Sequence, residues 1–199
     1  LYISNKAEYE STVRKLIPNK KFIVMFAGNL GKAQSLETIL KAAALTQDSP
    51  VHWIILGDGR EKQMLEESIS KLKMNNISLL GSFPVETMPS FFCFADVLLV
   101  TLKTDPIFSA TIPGKLQSYM LSSKPVIAAL DGEGARVIKK SRCGLTVASG
   151  DHKGLAKSVL EMSEKSKKEM EDMGKRGLDY YSQNFDREML ISKFESWVG

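Results

Sequence analysis

A chain of 199 residues, 43% hydrophobic and 25% charged, is long and apolar enough for one substantial core, which excludes a disordered segment or a stapled mini-domain. Its 27 basic residues are interspersed among 23 acidic ones, and a net charge of +4 favours a small anionic ligand over nucleic acid, which would need a basic stripe. Two cysteines without a CxxC spacing and two distant histidines, His52 and His152, offer no disulfide framework and no zinc pattern, so a cytoplasmic setting is expected.

The chain opens at Leu1 rather than Met, and residues 1–21 read as a polar lead-in, so the sequence is expected to be a piece of a longer protein. No apolar run approaches the ~20 residues that span a bilayer, and no signal peptide is visible. From Phe22 onward six short apolar runs are predicted as strands: 22–27, 51–56, 77–80, 97–102, 126–129 and 145–147. Longer amphipathic stretches lie between them, the pattern of βα units that build a parallel sheet covered on both faces. The predicted fold is α/β, a Rossmann-like doubly wound parallel sheet of about six strands.

The helices follow from three-and-four spacing. Leu36, Ile39, Leu40 and Ala43 give one apolar face, and Met64, Leu65, Ile69 and Leu72 a second. A short helix is predicted over 85–93, and Pro113 suits the first turn of another that runs through Tyr119 to Leu121. Asp151 and Asp186 are predicted helix caps. The mixed charges of 163–176 predict a mostly solvated helix, and the stripe Leu190, Phe194 and Trp197 faces either this core or another domain.

Ligands of such sheets sit beyond the carboxyl ends of the strands, where glycines admit an anion to backbone amides and helix starts. Four loops fall there. The first strand runs into Gly28-Asn29-Leu30-Gly31-Lys32-Ala33-Gln34, which is neither a Walker loop nor GxGxxG. The second ends in Gly57-Asp58-Gly59-Arg60, where Arg60 offers a bidentate phosphate donor. The third gives Gly81-Ser82-Phe83, an aromatic for a base or for packing. The fourth, through Thr111, Ile112, Pro113, Gly114 and Lys115, places a lysine in a helix's first turn, where the dipole opposes it unless an anion lies in front. For each loop a ligand-free turn or an exposed charge is the competing reading.

Taken in order, Phe26-Ala27-Gly28-Asn29-Leu30-Gly31, Ile55-Leu56-Gly57-Asp58-Gly59-Arg60, Leu80-Gly81-Ser82-Phe83, Phe94-Ala95-Asp96-Val97, and Pro113-Gly114-Lys115 leading to Tyr119-Met120 and Lys124-Pro125-Val126-Ile127 resemble the C-terminal domain of glycosyltransferase family 4 enzymes of GT-B architecture. The similarity is greatest to the bacterial enzymes that add deoxy- or amino-sugars to O-antigen and capsule, and Cys143-Gly144-Leu145 and Gly150-Asp151 also fit. The resemblance implies residues 22–162 as a nucleotide-sugar-binding domain, with 163–199 as C-terminal helices returning to a missing N-terminal acceptor domain. It implies a retaining hexosyl- or aminosugar transferase, with UDP-sugar favoured over GDP-sugar, no required metal or cofactor, and an inactive isolated half. A lipid-linked acceptor would bring the full-length enzyme to the inner face of the membrane.

Residue by residue, the resemblance places Gly28, Asn29 and Gly31 under the distal phosphate or sugar, Phe83 at the base, and Arg60 and Lys115 as the catalytic phosphate donors. Gly57, Gly59, Thr111, Ile112 and Gly114 line the same rim. Many members carry two glutamates eight apart, but Ala110 and Ser118 stand at those places here. The ribose is thereby left to the Ser118 hydroxyl or Gln117, with Glu133 in the Asp131-Gly132-Glu133-Gly134 turn as a substitute carboxylate. Two alternatives stay open: a GT-B sugar-nucleotide 2-epimerase, for which Asp58, Asp105 and Glu133 are the available carboxylates, and a non-catalytic Rossmann-like binding module.

Overall fold

A computed structural model describes residues 6–19 and 21–198, with no side-chain account at 6–8, 193–194 and 197–198. Six parallel strands form one sheet in the order β3-β2-β1-β4-β5-β6. They are β1 (Phe22–Ala27), β2 (Val51–Leu56), β3 (Ile77–Gly81), β4 (Val97–Thr101), β5 (Val126–Ala129) and β6 (Gly144–Val147). Each predicted strand is present to within a residue. β2, β4 and β5 are buried throughout, as near-continuous β-branched and leucine runs require when both faces are covered.

Side chains alternate along each strand and so divide the core in two. Val24 and Phe26 point to one face with Trp53, Ile55, Val97, Leu99 and Ile127. That face is covered by α2 (Leu36–Ala44), α3 (Lys62–Lys71) and α8 (His152–Ser163). Ile23, Met25 and Ala27 point to the other with Ile54, Leu56, Leu98, Val100 and Ala128. There the cover is α1 (Lys6–Leu16), α4 (Met88–Phe94), α6 (Gly114–Leu121) and α7 (Glu133–Ser141). A short α5 (Pro106–Ala110), capped by Asp105, precedes α6. The tail consists of α9 (Lys167–Asn184) and α10 (Arg187–Val198).

Several expectations from the sequence are corrected here. Residues 1–21 are not merely a lead-in, because α1 occupies Lys6–Leu16, packs on α4, and buries Val13 and Ile17. Its two apolar anchors lie four apart among charged residues, too sparse a stripe to stand out against the polar run. The 163–176 stretch is mostly exposed, as expected, but α9 also packs along α6 and buries Met173, Gly174 and Gly177. Met170 and Met173 join the first core layer while Tyr180, Tyr181 and Phe185 pack against the second. Leu72 and Val85 are exposed, and the 85–93 stretch is a 3₁₀ turn (Val85–Thr87) followed by α4. Pro113 caps α6 from outside rather than opening its first turn. α5 and α7 were not among the predicted helices. Asp151 and Asp186 do cap helices, accepting from the amides of Gly154 and Met189. In α10, Leu190 and Ile191 are exposed, and the Phe194 and Trp197 side chains lie outside the described residues.

Candidate donor site at the strand switch

The strand order reverses between β1 and β4, and a crevice opens at such a point because consecutive connections leave in opposite directions. Here β1 and β4 register only through Val24–Val97 and Met25–Leu98. Beyond them the strands part. The Tyr119 hydroxyl serves the end of β1 instead, accepting from the Ala27 amide at 3.0 Å and donating to the Ala27 carbonyl at 3.1 Å. Burial pushes the Tyr119 phenol well above its ordinary range, so it stays protonated and keeps both roles.

Lys115 stands one helical turn before Tyr119 and therefore on the same side of α6. Its stem crosses the mouth of the crevice, and its ammonium lies 3.9 Å from the centre of the Phe26 ring, at the end of β1. The Nζ donates to the Gln34 side-chain oxygen at 2.5 Å, and no carboxylate forms an ion pair with it among the described residues. Burial, with no charge to offset it, lowers the ammonium to about 8. A desolvated cation with only neutral partners, facing an open hollow, is an arrangement that an arriving anion relieves.

Three of the loop glycines have their amides engaged within the fold. The amide of Gly28 donates to Leu56 O at 3.0 Å, that of Leu30 to Asp58 O at 2.7 Å, and that of Gly57 to Gly81 O at 2.8 Å. Gly59 donates to the Asp58 carboxylate. These amides are therefore spent inside the fold and do not await an anion. What the glycines supply is close approach: a Cβ on Gly57 would fall 1.9 Å from Gly28 O, and one on Gly59 2.5 Å from Leu30 O, at φ values of +139° and +152°. Gly28 alone of the three faces the cation, since a Cβ there would stand 3.0 Å from the Lys115 Nζ.

Two adjoining hollows open on this rim. One, of about 320 Å³, is lined by Gly28, Asn29, Gly57, Asp58, Ser82, Phe83, Val85 and Met88 among others. The other, of about 540 Å³, continues from Gly28, Val85 and Met88 to Lys115, Ser118 and Tyr119. Phe83 serves both readings of an aromatic there, packing on Phe91 at 4.6 Å between ring centres while lining the first hollow. Asn29, Phe83, Ser118 and Lys115 are thus brought together.

The remaining candidates are not part of this lining. Arg60 is exposed on the loop after Gly59, two residues from Asp58, and lines neither hollow. Gly31 lies beneath the Asn29 amide, and Gln117 is half-buried outside the lining. Thr111 turns its hydroxyl back on the Ile107 and Phe108 carbonyls, and with Ile112 it leads to Gly114, whose Cβ position is open space at the start of α6. Glu133 is engaged by Arg136 at the first turn of α7, accepting from Nε at 2.9 and 3.0 Å and from Nη2. It lines neither hollow. Gln34 and Tyr119 were absent from the sequence-based site. A tyrosine four residues after Lys115 was a usable signal, whereas nothing in spacing ties Gln34 to a lysine 81 positions away.

Residues 9–179 match the family described as glycosyl transferases group 1. The chain belongs to that family. Among curated glycosyltransferases it is similar to the probable glycosyltransferase WbjE of Pseudomonas aeruginosa, 26% identical over 185 residues, covering 89% of this chain and 44% of that protein. It is also similar to the putative colanic acid biosynthesis glycosyl transferase WcaI of Escherichia coli K12, 28% identical over 104 residues, covering 52% of this chain and 25% of that one. The group 1 chain thus spans less than half the length of these relatives. HepE of Anabaena, solved with UDP and glucose, superposes with a TM-score of 0.78 at 19% identity, covering 96% of this chain and 52% of HepE. Sucrose-phosphate synthase of Thermosynechococcus elongatus gives 0.79 at 18% identity, covering 96% and 48%. The neighbours are GT-B glycosyltransferases, and at these identities the likeness establishes the fold. Among the described residues of this group 1 domain, no helix is long and apolar enough to cross a membrane.

Proposed function

We propose that this domain binds the nucleotide-sugar donor of a retaining bacterial glycosyltransferase, with the diphosphate over the crevice between β1 and β4 and UDP as the carrier. The observation that carries the reading is Lys115: a desolvated ammonium without an ion-pair partner among the described residues, lining a hollow between the end of β1, α4 and α6 that adjoins the one bordered by the ends of β1, β2 and β3. As the bond between sugar and diphosphate breaks, negative charge grows on the departing phosphate oxygens. A preoriented cation in a site of low polarity stabilises that charge more than it stabilises the intact donor.

The other side chains divide the donor between them. Lys115 neutralises the diphosphate at the crevice mouth, helped by the α6 start, where amides have no acceptor within the helix. Arg60, on the adjoining loop, is the second cation and reaches in when the donor is bound. Ser118 replaces a carboxylate at the ribose with a hydroxyl, and the half-buried Phe83 with Val85 and Met88 meets the base. The sugar lies over Gly28 and Asn29, toward an acceptor domain carried by the rest of a longer chain. Surface-polysaccharide assembly is the pathway supported by the name of the colanic acid relative, and a lipid-linked acceptor at the inner face of the membrane fits that role. Phosphate chemistry is assigned to cationic side chains, with no metal required.

Calorimetric titration of this chain with UDP, GDP and Mg²⁺ separately tests the reading. UDP is expected to bind more tightly than GDP, with an affinity unaltered by Mg²⁺. Absence of heat from both nucleotides at millimolar concentration would contradict it.

A further inference from the structure

Lys115 is held by a residue from outside its own helix. Gln34 closes the 3₁₀ turn Lys32–Gln34 that follows the β1 loop. Its backbone is fixed on two sides: its amide donates to Gly31 O at 2.9 Å, and its carbonyl accepts from the Thr101 hydroxyl at the buried end of β4. The neighbouring Ala33 carbonyl accepts from the Lys103 amide at 2.9 Å, tying the same turn to the segment after β4. The turn therefore spans the crevice from the β1 side to the β4 side, and the Gln34 amide reaches from it to the lysine on α6.

The geometry points to Gln34 as a positioning residue that holds the Lys115 ammonium at the mouth of the β1–β4 crevice. The inference rests on the donor-binding reading of Lys115 given above. Chemistry explains why a glutamine suits the place. A free lysine stem with several rotatable bonds would leave the crevice for water, and a neutral carbonyl oxygen accepts one of its three protons without cancelling its charge. A carboxylate would hold it more strongly but compete with the diphosphate. A purely apolar partner would leave it unanchored. The charged side chains on the flanking segments are Lys32 in the same turn, Asp58 and Arg60 after β2, and Lys103 after β4, while α4 carries none. None of them pairs with Lys115 among the described residues, where Gln34 is the side chain that accepts its hydrogen bond.

The test compares wild type with Gln34→Met, which keeps the volume and removes the acceptor, and Gln34→Glu, which adds a charge. Titration of lysine Cε resonances in the ligand-free chain, with the signal assigned through Lys115→Arg, follows the ammonium directly. The wild-type midpoint is expected near 8. Gln34→Met is expected to lower it by about one pH unit, through loss of a hydrogen bond to the charged form. Gln34→Glu is expected to raise it by about one to three units. UDP affinity at neutral pH is expected to fall in both, on the order of tenfold. A merely structural residue would not move the midpoint in opposite directions in the two variants. Midpoints that agree with wild type in both variants would overturn the role of Gln34. Failure of the wild type itself to bind UDP would instead overturn the donor reading, so the two failures are separable.

Discussion

Lys115 carries a cost in the ligand-free chain that the fold does not remove. Its native value, about 8, lies below the ordinary 10.5, so burial penalises the charged form. The sign follows directly. Below about pH 8 the amine is protonated in both states and the whole penalty is present. Between about 8 and 10.5 the unfolded chain binds the proton that the native chain has released, so this group's contribution to stability rises with pH. Lys115→Met is therefore expected to stabilise the ligand-free domain by about 2–3 kcal/mol at neutral pH, a gain that fades as pH climbs through that window. Urea unfolding of both proteins at neutral and alkaline pH measures it, and a destabilised variant would show that Phe26 and Gln34 already compensate the charge. A residue that weakens the fold while facing a hollow is more simply explained by ligand binding than by packing.

At the scale of elements, the C-terminal helix α9 shows how close approach overrides local preference. Helix propensity alone favours alanine over glycine by about 1 kcal/mol. At Gly174, however, a Cβ would fall 2.1 Å from the Ser123 carbonyl oxygen, at the turn after α6. Gly174→Ala is expected to destabilise the domain by about 1–3 kcal/mol in chemical denaturation, because α9 must back away from α6. A neutral or stabilising result would mean that α9 is loosely seated. The seating of α9 was hard to see in the sequence because its apolar residues are few, and two of its three buried positions, Gly174 and Gly177, carry no hydrophobic signal. The strands were legible for the opposite reason, since runs such as Val51–Leu56 are buried at every position and broken by polar turns. The loop glycines 57 and 59 were legible as special, but their reason was not: sequence suggests amides offered to a phosphate, whereas contact between neighbouring loops requires them. Gln34 and the engagement of Glu133 by Arg136 depend on where side chains settle once the sheet exists, which periodicity does not encode.

For the whole molecule, a six-stranded doubly wound sheet places β1, β2 and β3 on one side of the switch and β4, β5 and β6 on the other. Loops from both halves converge at one rim, and Lys115 spans the gap between them. The chain covers less than half of its curated relatives, and the proposed role is confined to donor binding. The most direct measurement is UDP binding at pH 8.5, a value about half a unit above the Lys115 midpoint, followed by calorimetry in two buffers of different ionisation enthalpy. Wild type is expected to take up a fraction of a proton on binding, because the diphosphate returns Lys115 to its charged form, and Lys115→Met is expected to lose both the proton uptake and at least about tenfold in affinity. Equal binding by the two proteins, with no proton taken up by either, would contradict the account.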